Sequence, residues 1–197
     1  GPVCRICRRM GEKLFLKGER CLTKCAWERR QVPPGGRPLR RRRASERGVQ
    51  LREKQKVRYI YGLLERQFRK GFAEAERRPG ITGENLLQLL ELRLDNVAFR
   101  LGFADSRRQA RQLVRHGHLT VNGRPLDIPS AKLKPGDGVT WTERGRATPR
   151  YQEAIQGLEG RPLPSWLSLD EATMTGRVAA VPCRGEIDIR ISEQAIV

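Results

Sequence analysis

The chain has 197 residues and carries 40 Lys plus Arg against 22 Asp plus Glu, a formal net charge of +18. That length suits one medium domain or two small ones, and such an excess of cations calls for a polyanion, either nucleic acid or an anionic membrane surface. No run of about 18 apolar residues exists to cross a bilayer and no charged-then-apolar leader resembles a secretory signal, so the expectation is a cytoplasmic protein with a nucleic-acid partner and no membrane.

Taken in chain order, residues 1–37 are turn-rich and hold four of the five cysteines. Cys4 and Cys7 are separated by two residues, Cys21 and Cys25 by three, and thirteen lie between the pairs. Each close pair can place two thiolates on one tetrahedral metal. A disulfide is disfavoured in a cytoplasmic setting, and an iron–sulfur cluster lacks any partner site for electron transfer. One structural Zn2+ is the expected occupant, since four thiolates close the coordination sphere and leave no place for a water nucleophile. Arg5, Arg8, Arg9, Lys13, Lys17, Arg20 and Lys24 lie among the thiols and would offset the negative charge of such a centre. Cys183 stands apart and reads as a small buried hydrophobe.

Pro33-Pro34-Gly35-Gly36 breaks the chain before an arm in which Arg40, Arg41, Arg42 and Arg43 are consecutive, a charge density that stays extended without a counter-charge. Ser45 is placed to cap a helix carrying Val49, Leu51, Val57 and Ile60 that ends near Gly62. A second helix is expected over Glu65 to Arg77, with Phe68, Phe72 and Ala75 on one stripe. A third begins after Thr82 and runs through Leu86, Leu87, Leu89, Leu90 and Leu94 to Gly102, bending near Arg93, and supplies the best core material. Ser106 caps a short helix to Arg115, Leu119 to Val121 reads as a strand, and Asn122-Gly123 supplies a tight turn to the next. Val139 to Thr142 is a further strand and Thr148 to Leu158 a helix, Pro149 being acceptable in its first turn. Leu167 to Leu169, Gly176 to Val181 and Ile187 to Ile191 read as short strands that pack back on the helices.

The helix from Ser106 carries the clearest functional pattern. Ala110, Leu113 and Val114 fall on one face, Arg108, Arg111 and Arg115 on the other, and guanidiniums spaced by helical turns can bridge successive phosphates. His116-Gly117-His118 turns the chain into a strand that brings up Arg124. With no carboxylate or nucleophile nearby, His116 and His118 read as RNA contacts or turn residues and not as catalytic bases. On this reading Arg111→Ala and Arg115→Ala would each weaken RNA binding with little effect on folding.

Ser106 to Gly123 resembles the RNA-binding module of the small-subunit ribosomal S-four family. Leu51-Arg52-Glu53-Lys54-Gln55-Lys56, Glu65-Arg66-Gln67-Phe68-Arg69, Arg93-Leu94-Asp95-Asn96-Val97 and Trp166-Leu167-Ser168-Leu169 resemble the bacterial ribosomal family itself, in order, and the cysteines resemble its zinc-bearing form. The resemblance implies an α+β fold: a zinc-bound N-terminal segment (1–37), the arginine arm (38–48), a helical domain (49–92), an inserted module of two helices with a short antiparallel sheet (93–157), and C-terminal strands packing back on the helical domain (158–197). It implies a structural constituent of the small (30S) ribosomal subunit, a primary binder of 16S rRNA that nucleates assembly of the subunit body and contributes to accuracy. Its RNA-binding residues would be Arg107, Arg108, Arg111, Arg115, His116, His118, Arg124, Arg52, Lys54, Lys56, Arg66 and Arg69. Arg40, Arg41 and Arg43 would face mRNA at the entry path, and small-subunit ribosomal protein five would be a neighbour among other 30S proteins. Two departures stand out: Pro34-Gly35-Gly36-Arg37-Pro38 replaces the family's usual Pro-Gly-Gln-His-Gly turn, and the second cysteine pair is one residue closer.

An RNA-modifying enzyme bearing such a module would need a second domain. Here only about 55 residues follow the strand that ends at Thr142, no Gly-rich cofactor loop follows a strand, no nucleophile pairs with a base, and no small-molecule substrate is implied. Asp95 is better read as a helix-surface partner of arginine than as a catalytic acid. A zinc-bearing DNA regulator would concentrate its base-reading groups on one helix, whereas the charge here is spread over the whole chain, which suits a large folded RNA.

Overall fold

The computed structural model describes residues 2–35, 45–158, 160–192 and 196; the arm residues Arg40, Arg41 and Arg43 lie outside this set. The N-terminal segment is more helical than its turn-rich composition suggests. It opens with α1 (Pro2–Met10) and continues through the single turns α2 (Arg20–Thr23) and α3 (Ala26–Arg29). Cys4 and Cys7 are therefore three apart on a helix, on one face of α1.

The helical domain follows the apolar pattern. In α4 (Glu46–Ile60) the Ser45 hydroxyl accepts a hydrogen bond from the Gly48 N–H at 3.2 Å. The helix ends where Gly62 takes φ +65° and the Leu63 N–H reaches back to the Arg58 carbonyl at 2.8 Å, a closure that needs the left-handed region glycine tolerates. Helices α5 (Glu65–Glu76) and α6 (Thr82–Glu91) pack on each other. Phe68, Leu86, Leu87, Leu89 and Leu90 form a core with Val57 and Ile60 of α4, and Cys7, Met10, Leu14 and Leu16 of the N-terminal segment enter the same core.

The long third helix is interrupted. Arg93 adopts extended backbone (φ −71°, ψ 140°) between α6 and α7 (Leu94–Arg100). Backbone hydrogen bonds Leu133 N–H to Leu92 O and Leu94 N–H to Ala131 O, at 2.8 and 2.9 Å, fasten the break to a later loop. Helix α8 (Arg107–Arg115) then packs on α7. Strands β1 (Leu119–Val121) and β2 (Arg124–Pro125) form a hairpin closed by Asn122 and Gly123, both at positive φ (50° and 77°), the tight turn expected for Asn-Gly. Strand β3 (Gly138–Trp141) is followed by the turn α9 (Glu143–Arg146) and by α10 (Pro149–Gln156).

The C-terminal region departs from expectation in three ways. First, β4 (Leu167–Asp170) and β5 (Thr175–Val178) do not pack back on the helical domain; they extend the module's sheet, giving one antiparallel sheet in the order β2-β1-β3-β5-β4. Trp166, Leu167, Met174 and Val178 thereby share a core with Leu94, Val97, Leu101, Phe103, Leu113 and Val114. Second, 187–191 is not a strand. A 3-10 turn at Arg184–Glu186 precedes it, the Arg184 guanidinium donates to the carbonyls of Ile187 and Ile189, and Ile187 and Ile189 are buried in the helical core with Ile191 packed against it. Third, Cys183 is exposed, at the start of that turn.

The fit of β5 on α7 is tight. A Cβ added at Gly176 would lie 2.3 Å from Leu101 Cδ1, and Leu101 is only 1% exposed, so it has nowhere to go. Gly176→Ala is expected to destabilise the fold by about 1–3 kcal/mol, measured by denaturant unfolding.

Candidate nucleic-acid interface

Helix α8 is built as its sequence dictates. The Ser106 hydroxyl accepts from the Gln109 N–H at 3.3 Å, and the Gln109 side-chain oxygen accepts from the Asp105 N–H at 2.9 Å, a reciprocal cap. Ala110, Leu113 and Val114 are buried in the module core, which turns Arg108, Arg115 and His116 to solvent. Arg124, on the exposed hairpin strand, is also open to solvent. His118 is half-buried and sits edge-on to His116, with ring centroids 6.0 Å apart. Burial lowers the pKa of His118, and Arg144 and His116 lower it further; its Nδ1 has no hydrogen-bond partner among the described residues.

Two arginines expected on the phosphate face point elsewhere. Arg107 lies between the rings of Phe99 (4.6 Å) and Tyr61 (4.9 Å), and its Nε donates to Asn96 Oδ1 at 2.7 Å. Arg111 donates from Nε and Nη2 to Asp95 Oδ2, at 3.1 and 2.8 Å, and from Nη1 to the Gly62 carbonyl. Both reach across from the module to the helical domain. The reason is the buried acidity they meet there. Asp95, 3% exposed, is not at a helix surface, and it also takes a two-pronged ion pair from Arg93 at 3.0 and 2.9 Å.

Glu91 is the centre of this network, with 0% exposure. It accepts from the Tyr61 hydroxyl (2.6 Å), the Asn96 amide (2.7 Å), and Nε and Nη2 of Arg100 (3.0 and 2.9 Å), and Arg107 Nη2 stands 3.8 Å away. Burial by itself would raise the Glu91 pKa, but the hydrogen bonds and charge of Arg100, with Arg107 and Tyr61, more than offset it, so Glu91 is held below the ordinary value. Burial, then the Glu91 charge, pushes the Tyr61 hydroxyl well up, which keeps it a donor.

The remaining expected RNA ligands divide similarly. Arg52 donates to the Met10 carbonyl at 2.7 Å, Lys54 pairs with Glu65, and Lys56 is buried between Glu12 (3.0 Å) and Glu53 (3.8 Å). Arg69 is exposed with a Glu65 contact at 3.1 Å, and Arg66 is exposed. All five cysteines are free thiols. Cys4, Cys7, Cys21 and Cys25 line one cavity of about 10 Å³, room for a single atom-sized occupant. The Lys17 N–H points at Cys21 Sγ at 3.3 Å, and burial raises the Cys7 thiol. Among the described residues no group of three or more His, Cys, Asp or Glu is already drawn together to hold a metal.

Residues 1–91 match the family described as "Ribosomal protein S4/S9 N-terminal domain" and residues 92–139 the "S4 domain". The chain is 56% identical to "Small ribosomal subunit protein uS4" of Heliobacterium modesticaldum, covering 100% of this chain and 95% of that one. The proteins of the same name from Dehalococcoides mccartyi and Natranaerobius thermophilus are 52% and 55% identical, again over 100% of this chain and 95% of theirs. The chain belongs to the uS4 family.

In this uS4 chain, sequence reading missed the buried carboxylate Glu91 and the cation Arg144 beside the histidines. Glu91 is flanked by leucines in Leu89-Leu90-Glu91-Leu92, and an acid on the inner side of so apolar a run is the available signal. Arg144 follows Thr142, whose hydroxyl accepts from the Gly145 N–H and caps α9; only the turn of the chain after β3 brings it near His118. Glu91→Ala would leave Arg107 without its counter-charge and Arg100 with the exposed Asp188 alone, and is expected to lower unfolding free energy by about 3–5 kcal/mol in denaturant titrations. A carboxylate held below its unfolded value stabilises the fold above that value. The stability difference between wild type and Glu91→Gln is therefore expected to be full near neutrality and to shrink as pH falls below about 4.3. Arg111→Ala is expected to lower the melting temperature, where Arg115→Ala leaves it unchanged.

Proposed function

We propose that this chain is a structural, non-enzymatic constituent of the small (30S) ribosomal subunit and a primary binder of 16S rRNA that nucleates assembly of the subunit body. The observation that carries the reading is full-length identity of 52–56% to proteins named small ribosomal subunit protein uS4. The solvent-facing cations Arg108, Arg115 and Arg124 support it. About 10 to 15 basic groups contact phosphate, counterion release supplies most of the affinity, and the shape of the folded RNA supplies specificity. His116 and His118 border the phosphate face, with Arg66 and Arg69 on α5 as a second patch. Arg107, Arg111, Arg52, Lys54 and Lys56 act chiefly by holding the segments that present those groups.

The reading extends to translational accuracy, to Arg40, Arg41 and Arg43 along the path of incoming mRNA, and to small-subunit protein five as a neighbour. It also includes one Zn2+ held by Cys4, Cys7, Cys21 and Cys25. Four thiols around an atom-sized cavity, one already receiving a backbone N–H, are a donor set that fits a structural zinc. The ion would supply folding free energy to a segment whose own core is small. The divisions 1–37, 38–48, 49–92, 93–157 and 158–197 remain the proposed functional units, the last now sharing the module's sheet.

The test is binding to 16S rRNA across a salt series. Affinity is expected to fall steeply with salt, and Arg115→Ala to reduce the slope by about 0.7–0.9; a wild-type chain with no preference for this RNA over duplex DNA would overturn the reading. Mass spectrometry under native conditions is expected to find one zinc per chain, with loss of N-terminal helicity on chelation. A metal-free chain of unchanged fold would remove zinc from the account.

A further inference from the structure

A cavity of about 530 Å³ opens between the N-terminal segment, α4, α7 and the stretch 188–190, away from the outer face of α8. Its volume falls within the range of about 300–1,000 Å³ that holds small organic groups. Phe15 stands on its wall, 54% exposed, with φ +50°, a backbone region in which a bulky L-residue is strained. The strained backbone keeps the phenyl ring out of the helical core that takes its neighbours Leu14 and Leu16. Lys13 Nζ lies 5.1 Å from that ring, and Phe99 elsewhere on the wall carries the Arg107 guanidinium. Around the cavity Lys13 pairs with Glu28, Lys56 with Glu12 and Glu53, and Arg100 with Glu91 and Asp188, Arg107 stands 3.8 Å from Glu91, and Arg190 is exposed.

The cavity is also continuous with the basic face of α8. A narrow cleft lined by Phe15, Arg107, Arg108 and Arg111 adjoins it, and that cleft shares Arg108 and Arg111 with an open groove that holds Arg115 and His116. A polyanion lying along Arg115 and Arg108 is therefore led to an exposed aromatic ring at the mouth of a cavity. We propose that this cavity receives an unstacked RNA base, stacked on Phe15, from a strand whose phosphates run along α8. The proposal rests on the RNA-binding reading and adds a base-binding site to it. Asp188, whose carboxylate is 78% exposed while paired with Arg100 at 2.8 Å, is the acceptor available to an exocyclic amine. A protein side chain would fill an apolar cavity equally well, but the cationic track favours a ligand tethered to phosphate.

The test uses the full chain and 16S rRNA, comparing wild type, Phe15→Ala, Phe15→Tyr and Arg115→Ala. Phe15→Ala is expected to weaken binding by about 5- to 150-fold, the range for loss of one stacked base. Its salt slope and melting temperature are expected to match wild type, because no charge and little buried surface are removed. Phe15→Tyr is expected to restore binding, and ultraviolet cross-linking with mass spectrometry to place an RNA base on residue 15. Wild-type affinity in Phe15→Ala, no recovery in Phe15→Tyr, or a cross-link from residue 15 to protein would overturn the base site, while Arg115→Ala still shows its reduced slope. Failure of wild type to select the RNA, with no slope change in Arg115→Ala, would instead remove the RNA reading on which the site depends.

Discussion

A carboxylate with no exposed surface holds the two halves of this molecule together. Glu91 ends α6, at the edge of the helical core, and its ligands come from elsewhere: Tyr61 after α4, Asn96 and Arg100 on α7, Arg107 on α8. Beside it Asp95 pairs with Arg93 and Arg111 within the module, and Arg111 also donates across to the Gly62 carbonyl. Charges buried this deeply are tolerated only when each is matched and hydrogen-bonded. The network therefore fixes one orientation of the module on the helical domain, because any slippage would strand a charge without its partner. Two apolar cores meet across this polar seam, and directional bonds define that junction more sharply than apolar contact alone.

The seam also explains why cations that look alike in sequence do different work. A basic helix has two kinds of arginine, those facing neighbouring protein and those facing solvent, and the difference is a matter of angle around the axis. On α8, Arg107 and Arg111 are four apart and both meet the acidic seam, while Arg108 and Arg115, seven apart, share the outer face. The inner pair neutralises buried acids and so orients the helix; the outer pair, with His116, is left facing solvent. Asp105, just before the helix, accepts both nitrogens of Arg150. A Cβ at Gly18 would come within 2.3 Å of the Asp105 carbonyl oxygen, so the loop between the cysteine pairs is seated directly against the start of α8.

Much of the architecture was legible beforehand. The capping hydroxyls of Ser45 and Ser106, the Asn122-Gly123 turn and the leucine run at 86–90 act through local chemistry, and the structure realises each of them. What was misjudged lies where local signals are weak or ambiguous. The segment 187–191 alternates like a strand, yet the Arg184 side chain occupies carbonyls that a strand would offer to a neighbour. Cys183, apolar by type, is left outside by the turn it begins. The bend expected in the leucine-rich third helix does fall at Arg93, but its cause, a loop some 40 residues later that takes up the backbone groups there, is a pairing that no local pattern announces.

The sequence by itself determined the family, the basic character of the surface, the spacing of the four cysteines and the extents of the main helices, because composition, caps and periodicity are properties of neighbouring residues. Only the tertiary structure decided which arginines face solvent, that Glu91 is the buried partner of Arg100, that β4 and β5 join the module's sheet, and that Phe15 stands at the mouth of a cavity. Those facts depend on contacts between residues far apart in the chain, where burial, counter-charge and packing select among side chains that the sequence presents as equivalent.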